Sequence, residues 1–499
     1  VSVMSTVSAL RATRSGHAER LTTVRHQHVD DRPFVLVPLT LAGEACAPLA
    51  AMAGTDPGAP VLLTVHQPRN RTERFGFAER LAALLLPYVN DCRSEVETYA
   101  ANWGKEQRVR ATRAPQILVP NRGGVHYARM LGRSTRLRAT EGPHAVHPSV
   151  PALGKWLTWA ADQAEFPGAT VLLSMTGLLT AHWATGQSAM EDARLASLLA
   201  WIDPPAHSTG AAAAIRAEDP SLFPPAGPVT DPLFDRTLDE LMNRHETAAA
   251  PRARQAAARQ IDIELRGQLA PTWEQMWRGV DLLRALPAAA HVPRRRDVDR
   301  TLFTAYAVHL DEDGRPQARR DHAVGAARRL SRLEDAVAQY EVQRAYDDPL
   351  VMAEYELSGD AFTGTVTDRD LDHHIPGARG PKWRPTVTLR TPDRPPFAVG
   401  ATVSSPRRPA QETEVIEVRQ VTEGQQGYET VLRINKGFGR KPPAQPGVLP
   451  DLGEELTYTS LNLRSIPSTL PTEENTPWTH GGPPQYYAPT AEDAEETWE

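Results

Sequence analysis

At 499 residues and 54.8 kDa the chain is too long for one ordinary domain, and at roughly 150 residues each about three are expected. A hydrophobic share of 40% with 33 Gly falls in the globular range, which excludes wholesale disorder and collagen-like repetition. A net charge of −6 excludes a uniformly basic nucleic-acid coat but leaves room for a local basic groove. Two cysteines, Cys46 and Cys92, are too few for a disulfide framework or a Cys-based zinc site, and suit buried free thiols in a reducing compartment. No run of 18 apolar residues and no signal-peptide core is present, so a cytoplasmic protein without membrane contact is expected. The 44 Pro predict long connectors.

Residues 1–30 are polar and without a sustained period, as in a flexible leader. Strand-like runs follow at Phe34–Leu39 and Val61–Val65, then a helical segment with Phe77, Leu81, Leu84 and Leu85 along one face. Further apolar runs at Ile117–Val119 and Val171–Leu173 alternate with helical patterns around Trp156–Ala164 and Leu178–Ala184. Such alternation predicts a sheet covered on both faces, an α/β domain over 31–205. The Ala-, Pro- and Gly-rich stretch 206–230 is expected to be a linker. Three apolar stripes, beginning at Phe234, Trp273 and Leu330, predict an all-α domain over 231–356. From 357 short β-type runs separated by Gly-, Pro- and Asp-bearing turns predict a small barrel of SH3 or OB character, reaching 465. There Val387 and Leu389 alternate with Thr388 and Arg390. Residues 466–499 have the composition of a Pro-rich acidic tail.

A phosphate-binding P-loop needs successive amides, a Lys and a following Ser or Thr at the phosphates and magnesium. Gly104-Lys105 is followed by Glu and Gly154-Lys155 by Trp, so no ATP site is complete. A GxSxG elbow is also missing; Ser174 follows a strand without an assignable His and acid. The histidine pairs His26/His28, His144/His147 and His373/His374 lack the companions a metal site requires, and no cofactor is expected. An enzyme reading would place its site at the strands' C-terminal edge, around Asn121–Gly124 and Ser174–Gly177. A protein–protein scaffold built on the helical middle is a third possibility.

Basic residues carry the sharper expectation. Arg122, Arg129, Arg133, Arg136 and Arg138 are interleaved with Tyr127, a pattern suited to neutralising phosphates and stacking on bases. Arg294–Arg296 form a second basic run. Lys382, Arg384, Arg407 and Arg408 form a third group, joined by Lys436 and Lys441 in the KGFGRK turn.

The segment TVTLRTPDRPPFAVGATVSSPRRPAQETEVIEVRQ, with Gly400 between two strand-like runs, resembles the accessory β-barrel preceding the motor core of superfamily 1 helicases of the DNA2/NAM7 type. Pro450–Gly453 leading into Leu456–Ser460 is similar to a further barrel strand and its loop, and ENTPWTHGGPPQYYAPTAEDAEETWE to the connector into such a motor. The likeness covers the last 140 residues or so, and the sequence ends before any motor motif. The resemblance implies a non-catalytic, nucleic-acid-associated accessory region of a bacterial defence or repair system, working with a helicase-like ATPase partner.

Overall fold

The structure, a computed structural model, describes residues 2–41, 47–101, 104–224, 227, 230–321, 323–378, 380–421, 426–439 and 442–463. The chain is mixed α/β and divides into two compact units. One takes in Ser5–Glu334; the other takes in Ser2–Met4 and Asp335–Ser468. Cys46, Lys441 and the expected tail 466–499 lie outside the described residues. Among the described residues no helix is long and apolar enough to cross a membrane.

The first unit takes in α1 (Val3–Ser15) from Ser5 on, then β1 (Glu19–Arg20), β2 (Phe34–Thr40), β3 (Pro48–Gly54), β4 (Val61–Thr64) and α2 (Arg71–Asp91). A hairpin, β5 (Val96–Ala101) and β6 (Glu106–Ala111), precedes β7 (Ile117–Val119), α3 (Arg122–Thr135), α4 (Ser149–Gln163) and β8 (Leu172–Ser174). Then come α5 (Met175–Thr180), β9 (Trp183–Ala184), α6 (Ala189–Asp192), α7 (Leu195–Ile202), α8 (Gly210–Ala217), α9 (Pro232–Thr247), α10 (Pro251–Arg284) and α11 (Val292–Asp311). The central sheet has the order β4-β3-β2-β7-β8, with β2, β7 and β8 parallel and β3 antiparallel to both its neighbours.

Both faces of this sheet are covered, which explains its continuous apolar strands. Phe34 and Leu36 point to one face, where α2, α3 and α4 contribute Leu81, Leu131 and Leu157, and α11 contributes Phe303. Val35, Val37 and Leu39 point to the other, against Leu198 of α7, Leu238 of α9, and Ile261, Trp273 and Val280 of α10. The expected separate all-α domain is therefore redistributed. Helices α9 to α11 are outer layers of the sandwich, because their apolar stripes are needed to cover strands buried on both sides. The expected linker contains α8, whose Ala214 and Ala217 pack with Ala12 and Trp201. The expected leader holds α1 and the buried residues Thr22, His26 and Asp30.

α12 (Ala323–Asp347) includes the division between the units, and α13 (Pro349–Ser358) follows it. The remaining strands are β10 (Ala361–Asp370), β11 (His374–Ile375), β12 (Lys382–Trp383), β13 (Thr386–Thr391), β14 (Thr402–Ser405), β15 (Arg408–Val421), β16 (Gly427–Lys436) and β17 (Glu455–Thr459). Six of them close a barrel in the order β10-β13-β16-β15-β14-β17, sealed by the pairing of β10 with β17. Val387, Leu389, Val415, Leu432, Ile434 and Tyr458 are fully buried within it. Gly364 on β10 faces a close neighbour: a Cβ there would lie 2.9 Å from the Arg390 carbonyl oxygen.

Candidate functional site

The structure engages most of the basic residues singled out above in internal bonds. Asn121 caps α3 by accepting a hydrogen bond from the Gly124 amide, which leaves Arg122 exposed in the first turn. Tyr127, one turn on, is 1% exposed and lies in the core between sheet and helices, so its ring offers no face to a base. Arg129 donates to the Ala161 carbonyl and pairs with Glu165 at 2.6 Å. Arg133 donates to the Arg319 carbonyl at 2.8 Å. Arg136 is buried and donates to the carbonyls of Arg133, Gln317 and Ala318, while Arg138 donates to Ser134 and covers the Phe75 ring. Four of these five arginines thus fasten α3 to its surroundings.

In the barrel, Arg408 makes a two-bond contact with Glu454 at 2.9 and 2.8 Å and also donates to the Val448 carbonyl. Arg407 reaches the same carboxylate at 3.5 Å. Lys436 lies opposite Glu412 across β15 and β16 and pairs with it at 2.6 Å. Lys382 is exposed on β12 beside the buried Trp383. Residues 335–463 hold 14 Lys and Arg against 19 Asp and Glu, whereas residues 1–334 hold 40 against 35. Basic side chains thus outnumber acidic ones by five in the stretch 1–334.

Two edges of the central sheet gather polar groups. At the C-terminal edge of the parallel strands, the Thr176 amide donates to the Pro120 carbonyl at 3.0 Å, stitching together the turns after β7 and β8. Gly227, in the stretch expected to be a linker, passes so close that a Cβ would lie 2.8 Å from Pro120 Cγ, in the turn after β7. Ser174 makes no hydrogen bond to a histidine or an acid among the described residues. Beyond the end of β4, His66 Nε2 sits 2.9 Å from Asp262 Oδ1, with the His245 ring 5.3 Å away. These three residues are far apart in sequence, and no spacing rule would unite them. No group of three or more His, Cys, Asp or Glu among the described residues is arranged to hold a metal ion.

At the opposite edge, where β2, β7 and β8 begin, charges are buried together. Arg296 of α11 donates to Asp30 Oδ2 at 2.9 Å, to Thr170 Oγ1 at 3.0 Å and to the Ala114 carbonyl. Thr170 in turn donates to Asp299 from its amide at 2.9 Å and from its hydroxyl at 2.5 Å. Gln116, just before β7, accepts from the Asp30 amide and donates to the carbonyls of His28 and Thr170. Burial works against ionising Asp30, but bonds from His28 and the Arg32 amide, with the charges of Arg296 and Arg113, hold its carboxyl well below the usual range. Asp299, with less compensation, is pushed by burial up to about 6.

One basic array escaped the sequence reading. Arg252, Arg259 and Arg266 on α10 are all exposed, and none makes an ion pair among the described residues. Their seven-residue spacing keeps them within about 40° of one stripe and sets them roughly 10 Å apart. Arg254 is exposed beside them and donates to the Ala248 carbonyl. The signal was present in PRARQAAARQIDIELRG, where arginine recurs every seventh residue on a face that carries no apolar stripe until Ile263. No family model matches this chain, and neither the curated proteins nor the solved structures provide a significant match.

Proposed function

We propose that the chain is a nucleic-acid-associated accessory protein, that it contacts the phosphate backbone through the first half of α10, and that ATP turnover belongs to a separate helicase-like partner. The observation carrying this reading is the ridge of Arg252, Arg259 and Arg266, exposed and without acidic partners among the described residues, within the stretch 1–334 where basic residues outnumber acidic ones. Guanidinium groups in such a row neutralise successive phosphates and release counterions without reading sequence. The first half of α10 carries no aromatic side chain on which a base could stack, so the contact proposed is to the backbone alone.

Fluorescence anisotropy with labelled single- and double-stranded oligonucleotides of mixed sequence, between about 0.05 and 0.2 M salt, tests this reading. Binding is expected to be indifferent to sequence and to weaken linearly on a log–log plot. Every phosphate left without its arginine lowers the slope by about 0.7 to 0.9, so the combined change R252A, R259A and R266A should lower it by about 2 to 3. Alanine is the best helix former and these positions are exposed, so the fold should survive. No measurable affinity of the wild type at the lowest salt, or an unchanged slope in the triple variant, overturns the proposal.

A further inference from the structure

We infer that the cleft at the N-terminal edge of the parallel strands is a binding site for a phosphate-bearing small molecule. The cleft has a volume of about 600 Å³, within the range of roughly 300–1,000 Å³ typical of small-ligand pockets. Five arginines line it: Arg25, Arg32, Arg113, Arg296 and Arg300. Three carboxylates share the lining, and two of them are already committed. Asp30 is held by Arg296 and Arg113, and Asp297 by Arg110 and Arg300. Asp31, the third, is exposed.

Arg25 is the group without an answer. Its backbone is fixed, the amide donating to the Pro287 carbonyl and the carbonyl accepting from the Ala289 amide. One terminal nitrogen donates to the Gln27 carbonyl at 2.9 Å, while Nε is buried and makes no hydrogen bond among the described residues. No carboxylate pairs with it among the described residues. Burial and the neighbouring charge of Arg284 both push its pKa below the ordinary value. A half-buried guanidinium next to a like charge is unfavourable until an anion arrives, and a planar fork suits phosphate oxygens.

The start of α11 adds to this. Val292 and Pro293 line the cleft, the first turn of this 20-residue helix carries no acidic residue, and His291 provides no side-chain cap. The positive end of the helix dipole is therefore left uncompensated by its own sequence. The volume exceeds what one phosphate fills, so the phosphate is expected to be attached to a larger organic group. Arg25 lies 227 residues before Arg252 in sequence, and this site stands independently of the α10 ridge.

Isothermal titration of the full chain with pyrophosphate and with ADP, at about 0.15 M salt, tests the site. Both probes should bind one site and compete, and ADP should bind at least tenfold more tightly because the cavity houses its nucleoside. Equal affinities would keep the phosphate contact but identify free phosphate as the ligand's source. Arg25→Ala should weaken both probes at least tenfold without lowering the melting temperature of the unliganded protein. Arg25→Lys, which keeps stem and charge but loses Nε and the fork, should weaken them less and guards against misfolding of the alanine variant. The triple α10 variant should bind both probes as the wild type does, which separates this site from the proposed nucleic-acid surface. No saturable heat with either probe up to millimolar concentration, or wild-type affinity in both Arg25 variants, overturns the inference.

Discussion

Replacing Asp299 by Asn should remove one specific slope from the protein's pH–stability profile. Asp299 is 2% exposed, and burial raises its pKa from 3.8 to about 6 against the opposing pull of Thr170 and Arg296. A carboxyl raised in this way binds its proton more tightly when folded than when unfolded. Its stabilising contribution is therefore complete below about pH 4 and is lost as the pH rises through about 6. Two pH units at about 1.4 kcal/mol each give a loss of up to about 3 kcal/mol. Asp30, whose pKa is lowered, acts with the opposite sign below its unfolded value; it is present in both proteins and cancels in the comparison. Urea unfolding between pH 4 and 7.5 supplies the measurement. Trp156 and Trp159 report on it because their rings lie 5.4 and 6.1 Å from Phe303, one turn along α11 from Asp299. The variant should gain on the wild type by up to about 3 kcal/mol between pH 4 and 7, with no further change above that. A flat difference, or one running the other way, would show Asp299 to be charged throughout and refute the reasoning.

Gly154 lies where α4 meets the end of α3, and a Cβ there would come 2.3 Å from the Arg136 amide nitrogen. Gly154→Ala should therefore lower stability by about 1–3 kcal/mol despite the better helix propensity of alanine, and a thermal melt showing stabilisation would contradict the packing described. A fragment spanning Asp335–Ser468 should fold alone, its closed barrel giving a strand-dominated circular dichroism spectrum with a helical contribution from α13. Its sole tryptophan, Trp383, stacks edge-on against Phe438 at 5.0 Å, so a red-shifted emission or a non-cooperative urea transition would count against an independent unit.

Legibility followed burial and periodicity. The runs Phe34–Leu39, Ile117–Val119 and Val171–Leu173 announced strands covered on both faces, and β2, β7 and β8 stand there. Strand β3, with the sequence PLAAMAG, was not legible, since alanine and proline carry little β signal and only its place between β2 and β4 makes it a strand. The buried segment around Thr22 and His26 was equally silent, because it is held by bonds such as that of the His26 amide with His182 Nε2 at 3.3 Å. At the basic segments, sequence counts charge but not its partners. Arg129 and Arg136 look alike with Arg259 in composition, yet the first two are bonded to Glu165 and to carbonyls brought from more than 25 residues away, while Arg259 is exposed on its helix. Tyr127 shows the same limit, since an aromatic between arginines fits a core stripe as well as a stacking platform.

The pairing that seals the barrel has a consequence for synthesis. Ala361 of β10 meets Thr459 of β17, so the first strand made waits for the last. At roughly 5–20 residues per second that interval is about 5–20 s, long on the scale of microsecond hairpin formation. Throughout it β10 can pair with β13, but its other edge is open to any neighbouring extended chain. Pairings this distant in sequence also slow refolding. Sequence changes that delay β17 should thus appear as a lower yield of soluble protein before they appear as a lower melting temperature.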